Sequence, residues 1–288
     1  MVDLLGGVQK ALRQMLVARG VESTLVRVAG QTLHSYRLKG EGKGPPVLLV
    51  HGLGGSANGF SRVFFGLAKR FRHVFAVDLP GHGFSPELCD GPICVRSHFE
   101  VLQAYCRQVV GGPSYVVGNS LGGAMAVELG AEAPELVRAL ALVAPAGADL
   151  PPGRIEAVLK SMIDVRSAAD ARALTRRLFH EPPMTLMLFS HELRKFYGTP
   201  TVRALAQEAI EAKAALRPEV LGSLKMPTLL LWGASEKLLP YESLDYFRAH
   251  LPAHARVQVV EGFGHIPQME RPAELVSHLV SFADASGL

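Results

Sequence analysis

Two short runs in this chain, Val47-Leu48-Leu49-Val50 and Leu229-Leu230-Leu231, contain no polar residue. A strand packed on one face alternates apolar and polar side chains, whereas a strand covered on both faces does not. The runs therefore call for a sheet sandwiched between two layers, and helices are the usual cover. Comparable runs recur at residues 24–29, 31–38, 46–50, 73–77, 114–118, 139–143, 228–232 and 256–260. Helical periodicity occupies 61–70, 97–110, 121–133, 243–250 and 273–284. Together they predict an α/β chain built on a mostly parallel, eight-stranded sheet with helices on both faces. The first two runs, joined around Gly30, predict an antiparallel edge hairpin. With 48% hydrophobic and 19% charged residues in 288, there is ample material for a core.

The alternation breaks between 149 and 224. Pro151-Pro152-Gly153 opens a stretch of helical spacing without strand signals, and the strand pattern resumes after Lys225-Met226-Pro227. An all-helical insertion between two strands reads as a cap over the C-terminal edge of the sheet. The expected organisation is an N-terminal amphipathic helix over 1–20, a core formed by 21–148 and 225–288, and a cap over 149–224. In the N-terminal segment Leu4, Leu5, Val8, Leu12, Met15 and Leu16 share a face, with Lys10, Arg13 and Arg19 elsewhere. Interspersed charge and the lack of an apolar h-region do not fit a signal peptide. Two readings stand: packing on the protein's own core or a neighbouring subunit, or peripheral contact of residues 1–19 with a membrane surface. No stretch approaches the ~20 apolar residues of a transmembrane span.

The formal net charge of +4 is spread along the chain, and the Arg172/Arg176/Arg177 cluster alternates with apolar residues as a solvated helix face does. Nucleic acid is therefore not an expected partner. Cys89, Cys94 and Cys106 are too few for a disulfide framework and lack metal-site spacing, which fits free thiols in a cytoplasmic protein. Oligomeric state is left open.

Chemistry concentrates at strand ends. Gly118-Asn119-Ser120-Leu121-Gly122 joins the run at 114–118 to a helix of small residues. A serine in so sharp a strand-to-helix turn projects its hydroxyl from the sheet, and the flanking glycines remove Cβ atoms that would collide. The Leu121 amide then lies free at a helix N-terminus, where it can face a developing oxyanion. His265, in Gly262-Phe263-Gly264-His265, follows the last strand, where an open α/β sheet presents ligand-facing groups. A neutral imidazole there can take and return the Ser120 proton. The orienting carboxylate is Glu236, after the penultimate strand, or Asp149, after the strand at 139–143. His51-Gly52-Leu53-Gly54-Gly55 follows the strand at 46–50 and offers the Leu53 amide as a second oxyanion donor. Asp78 is expected to structure its own loop through backbone amides.

Over nearly its whole length the chain resembles α/β-hydrolase fold proteins. The resemblance rests on His51-Gly52-Leu53-Gly54-Gly55, Asp78-Leu79-Pro80-Gly81-His82-Gly83, Gly118-Asn119-Ser120-Leu121-Gly122-Gly123, Trp232-Gly233 with its acid, and Gly264-His265 before Glu270-Arg271-Pro272. It implies Ser120 as nucleophile, His265 as base, and the Leu53 and Leu121 amides as oxyanion hole. It also matches the chain order of nucleophile, acid and base with Glu236 in the middle. Most members carry Asp where this chain has Glu236, and the extra methylene requires a loop set slightly further back. The elbow, Ala144-Pro145-Ala146-Gly147 and the helical insertion are similar to monoacylglycerol-lipase-like esterases and to the carbon–carbon hydrolases of aromatic ring cleavage. Haloalkane dehalogenases and epoxide hydrolases use Asp in place of Ser120.

The expected activity is hydrolysis of a small-molecule carboxylic ester, an acylglycerol or short-to-medium acyl ester, through an acyl-enzyme on Ser120, with no metal or organic cofactor. Met162, Ile163, Met184, Leu186, Met187, Leu188, Phe189 and Phe196 form an apolar set in the insertion, expected mostly to pack its interior. Those facing the cleft would favour an acyl chain. The alternatives are a carbon–carbon hydrolase with Arg194 and Lys195 as candidate carboxylate partners, a lactonase or thioesterase, and a non-catalytic binding protein on the same scaffold.

Overall fold

In the computed structural model, which describes residues 4–151, 153–211 and 214–288, all eight runs form one sheet. The strands are β1 (Glu22–Val28), β2 (Gln31–Lys39), β3 (Val47–Val50), β4 (His73–Val77), β5 (Ser114–Asn119), β6 (Val137–Val143), β7 (Thr228–Gly233) and β8 (Arg256–Val260). They are arranged in the order β1-β2-β4-β3-β5-β6-β7-β8. β1, β2 and β4 pair antiparallel, and every pairing from β4 through β3 to β8 is parallel. The expected hairpin forms at β1 and β2, which turn through Ala29 and Gly30, both at positive φ. Successive positive φ values give a turn whose twist matches that of the strands.

Two helical layers cover the sheet. On one face, Leu48, Val50, Val116, Leu140, Leu142 and Leu230 pack with α3 (Val95–Tyr105), α4 (Leu121–Glu132) and α11 (Glu242–His250). On the other, Val47, Leu49, Val117, Ala141 and Leu231 meet α1 (Leu4–Ala18), α2 (Phe64–Ala68) and α13 (Pro272–Ala285). The continuously apolar strands thus feed two cores at once, alternate residues going to each.

Between β6 and β7 the described residues contain no strand. They form α5 (Arg154–Ile163), α6 (Ala168–Leu178), α7 (Met184–Phe189), α8 (Arg194–Tyr197), α9 (Pro200–Glu211) and α10 (Pro218–Gly222). A last short helix, α12 (Pro267–Glu270), precedes α13. The expected helix at 61–70 is reduced to α2. Residues Ala57–Phe60 wind instead as a 3-10 turn, anchored by Ala57 N–H donating to Asp78 Oδ1 (2.6 Å) and Tyr36 Oη donating to Asn58 Oδ1 (2.7 Å). The N-terminal helix is present as α1, and residues 1–3 of that expected segment lie outside the described residues, as does Pro152 of the Pro-Pro-Gly opening.

Candidate active site

β5 ends in a sharp turn into α4. Ser120 stands at φ 54°, ψ −118°, with its N–H donating to Val143 O (3.1 Å) and its carbonyl accepting from Gly123, Ala124 and Ala146. A non-glycine residue with this backbone is held there only by its surroundings. The surroundings explain the glycines: a Cβ on Gly118 would lie 2.2 Å from Gly122 O, and one on Gly122 would lie 2.3 Å from Val50 O. Leu121 begins α4 directly after the serine, which puts its amide at the positive end of the helix dipole.

His265 and Glu236 arrive from the ends of β8 and β7. His265 Nδ1 and Glu236 Oε2 are 2.7 Å apart, with side chains 3% and 1% exposed. A carboxylate only accepts, so Nδ1 carries the proton shared with Glu236. The other Glu236 oxygen accepts from Leu238 N–H (2.7 Å) and Leu239 N–H (2.9 Å). The longer side chain therefore curls over the turn that follows it while still reaching the imidazole. Asp149, the other sequence candidate, is exposed; its charge raises the Tyr246 pKa, second to burial among the causes.

Residues without a catalytic signature in the sequence hold this arrangement. Asn119 Nδ2 donates to both Val143 O and His265 O (3.0 Å each), and Asn119 Oδ1 accepts from Gln268 Nε2 (2.9 Å). The residue before the serine thereby ties the histidine loop to β6. Glu270 accepts from Gly264 N–H (3.0 Å) and from the amides of His180 and Glu181, pinning the same loop to the segment after α6. Burial, partly offset by these amides, raises its pKa. His51 Nε2 accepts from Leu79 N–H (3.0 Å), so its Nδ1–H donates to Gly52 O (2.8 Å). That neutral form agrees with a pKa lowered by burial, and it fixes the turn carrying Leu53. Asp78 takes amide hydrogen bonds from Ala57 and Phe84 and pairs with His34 Nδ1 at 2.8 Å. Its pKa is lowered even though burial, the largest single influence, acts upward; the His34 hydrogen bond leads the influences that lower it.

Two largely apolar cavities meet at the serine, sharing Leu53, Ser120 and Met162 in their walls. One, of about 270 Å³, runs between α5 and α9 past Leu121, Val158, Leu159 and Leu205. The other, of about 380 Å³, contains His265 and is walled by Leu5, Val8 and Leu12 of α1 together with Leu186 and Phe196. Of the apolar set expected to pack the interior of the insertion, Met162, Leu186 and Phe196 face these cavities. Met184, Leu188 and Phe189 are instead exposed on α7. Arg194 and Lys195 are exposed on α8, and the cations lining the cavities among the described residues are Arg62 and Arg96. Among the described residues no group of three or more His, Cys, Asp or Glu could hold a metal ion.

The sequence pattern of the alpha/beta hydrolase fold matches residues 45–272. The dihydrolipoyllysine-residue acetyltransferase component of the acetoin cleaving system of Pseudomonas putida is 29% identical, over 92% of this chain and 70% of its own. The pimeloyl-[acyl-carrier protein] methyl ester esterase of Nitrosomonas europaea is 29% identical, over 84% of this chain and 97% of its own. Among solved structures, a lipase candidate from Acinetobacter baumannii AYE superposes with a TM-score of 0.84 at 25% identity, covering 97% of this chain and 96% of its own.

Proposed function

Given that the chain belongs to the alpha/beta hydrolase fold family, we propose that it is a serine hydrolase of carboxylic esters working through a Ser120-His265-Glu236 triad. The observation that carries the reading is the buried His265–Glu236 pair, opening on the cavity that also holds Ser120. Ser120 Oγ attacks the ester carbonyl as its proton passes to His265 Nε2. The oxyanion that forms is held by the Leu53 and Leu121 amides. His265 then protonates the leaving alcohol, and the acyl group stays on Ser120. Water attacks that ester with His265 as base, releasing the acid and restoring the serine. Glu236 holds the Nδ1–H tautomer and stabilises the imidazolium that appears in each half-reaction.

The position of His265 orients the substrate. The leaving oxygen must face the group that protonates it, so the alcohol portion lies in the larger cavity beside α1. The acyl chain lies in the cavity between α5 and α9. Apolar walls on both sides favour acylglycerols or medium-chain acyl esters over small polar ones. Residues 149–224 act in this reading as a cap on a core of 21–148 and 225–288. A ring-fission carbon–carbon hydrolase is disfavoured, because a dienoate carboxylate needs an unpaired cation inside the cavity rather than one at its exposed mouth. Arg96 is engaged by Glu100 and Glu132, and Arg62 donates to Met269 O.

A fluorophosphonate probe is expected to label the protein, and Ser120→Ala to abolish both labelling and ester turnover. A chain-length series of p-nitrophenyl esters run beside a ring-fission dienoate, a lactone and a thioester fixes the bond cleaved. Turnover of the dienoate alone would overturn the ester reading.

A further inference from the structure

The wall of the larger cavity opens onto an unusual surface. Leu4 and Val8 on α1, Met184, Leu188 and Phe189 on α7, and Met269 on α12 are all exposed, Met184 by 78% and Leu188 by 68%. Val8 and Met269 also line the cavity, so they stand at its mouth. Leu5 and Leu186 extend the same two helices inward along its wall. The start of α1 is fixed against the segment following α7 by the buried Glu192 carboxylate, which accepts from Leu5 N–H (2.6 Å) and Leu4 N–H (3.3 Å). The exposed side chains of the three helices thus form a rim around one opening.

Among the described residues, two cations stand at this rim. Arg62 is exposed in the mouth beside Met269, and Arg194 is exposed between the cavity-lining Leu193 and Phe196. Glu181, in the segment before α7, is exposed, while Glu192 after it is buried and engaged. Large apolar side chains projecting from a basic rim match the chemistry of an anionic lipid surface. A protein partner or a second copy seated here would seal the opening toward His265. A fluid lipid surface leaves it usable.

We propose that this rim docks on the surface of an anionic membrane or lipid aggregate and that α1 forms one wall of the passage from that surface to Ser120. Docking is independent of the reaction, whereas the delivery of substrate rests on the esterase reading given above. Flexible, unbranched Met and Leu side chains adapt to the irregular acyl boundary, and the rim cations meet headgroup phosphates. The chain would thereby draw an acylglycerol from the lipid phase without passing it through water.

The test is co-flotation of the full chain with vesicles of phosphatidylcholine alone and of phosphatidylcholine with 1,2-diacylphosphatidylglycerol. Binding is expected with the anionic vesicles, weakened at high salt. The double variant Met184→Ser, Leu188→Ser should lower it at least tenfold while leaving hydrolysis of soluble p-nitrophenyl butyrate unchanged. Arg194→Glu should weaken the preference for anionic vesicles. Absence of wild-type binding, or equal binding by the Met184/Leu188 variant, overturns the proposal. So does a concentration-dependent dimer dispersed by that variant, which would mean that a second copy covers the rim. Ser120→Ala should still bind vesicles; a Ser120→Ala protein that binds and also retains ester hydrolysis would refute the catalytic reading and leave docking standing.

Discussion

The Glu236 carboxylate divides its two oxygens between unlike tasks, one on the His265 ring and one on the amides of Leu238 and Leu239. Removing its charge while keeping its shape tests the first task without disturbing the second turn as severely. Glu236→Gln is expected to lower acylation by about 10⁴-fold, the loss seen when an orienting carboxylate becomes an amide. Circular dichroism should stay unchanged. Asp149→Asn is expected to retain full activity, since that side chain is exposed and faces Tyr246. The reverse result in a pair of burst-phase assays would move the acid to the end of β6. Sequence spacing placed both acids after strands of the parallel sheet, and the Trp232-Gly233 context favoured Glu236 with Asp149 as the alternative. The positions of Ser120 and His265 at strand ends were legible because each is framed by glycines that a sharp turn demands. Asn119 and Gln268 were not, since an amide in a loop carries no signature until its long-range partners are known.

At the scale of elements, the strand–elbow–helix unit is specified by close approach. α4 lies so near β3 that Gly122 faces the Val50 carbonyl directly. Backbone cannot yield as a side-chain tip can, so Gly122→Ala should cost about 3 kcal/mol and diminish fluorophosphonate labelling. Gly7→Ala, in α1 where an added Cβ meets nothing within 4 Å, is the contrasting case. It should be neutral or raise stability by up to about 1 kcal/mol through helix propensity, read as thermal midpoint. The shortened α2 shows the converse. Apolar periodicity at 61–70 was real, but the bonds of Ala57 and Asn58 to Asp78 and Tyr36 commit the chain just before it to a 3-10 turn. Tertiary hydrogen bonds outweigh a local preference worth tenths of a kcal/mol per residue.

For the whole molecule, acid is expected to be a specific weakness. His51, His82 and His98 form a buried cluster, with ring centroids 5.1 Å apart for the first pair and 6.4 Å for the second. All three have lowered pKa values with burial as the main cause, and His82, also repelled by His51, is held at about 3. Unfolded, each would titrate near 6.5, so below that pH the unfolded chain binds more protons than the folded one. Stability is therefore complete above about pH 6.5 and falls as pH drops toward the folded values. His82 alone accounts for about 2 kcal/mol between pH 6.5 and 5. Urea midpoints measured from pH 7 to 5 should decline in the wild type and decline less steeply in His82→Gln. Parallel slopes would refute the assignment.

The sequence by itself determined the two-faced sheet, the elbow at Ser120 and the position of His265 after the last strand. Each follows from local physics: unbroken apolar runs need cover on both faces, and glycines mark turns where Cβ atoms collide. Only the tertiary structure decided which carboxylate meets the imidazole and how the space at the serine divides into two cavities. It alone brought α1, outside the family-matched segment, into the wall of one of them. Those outcomes rest on contacts between residues 29, 146 and 188 positions apart. Periodicity and spacing describe neighbours along the chain, and they carry no record of which distant segments packing will bring together.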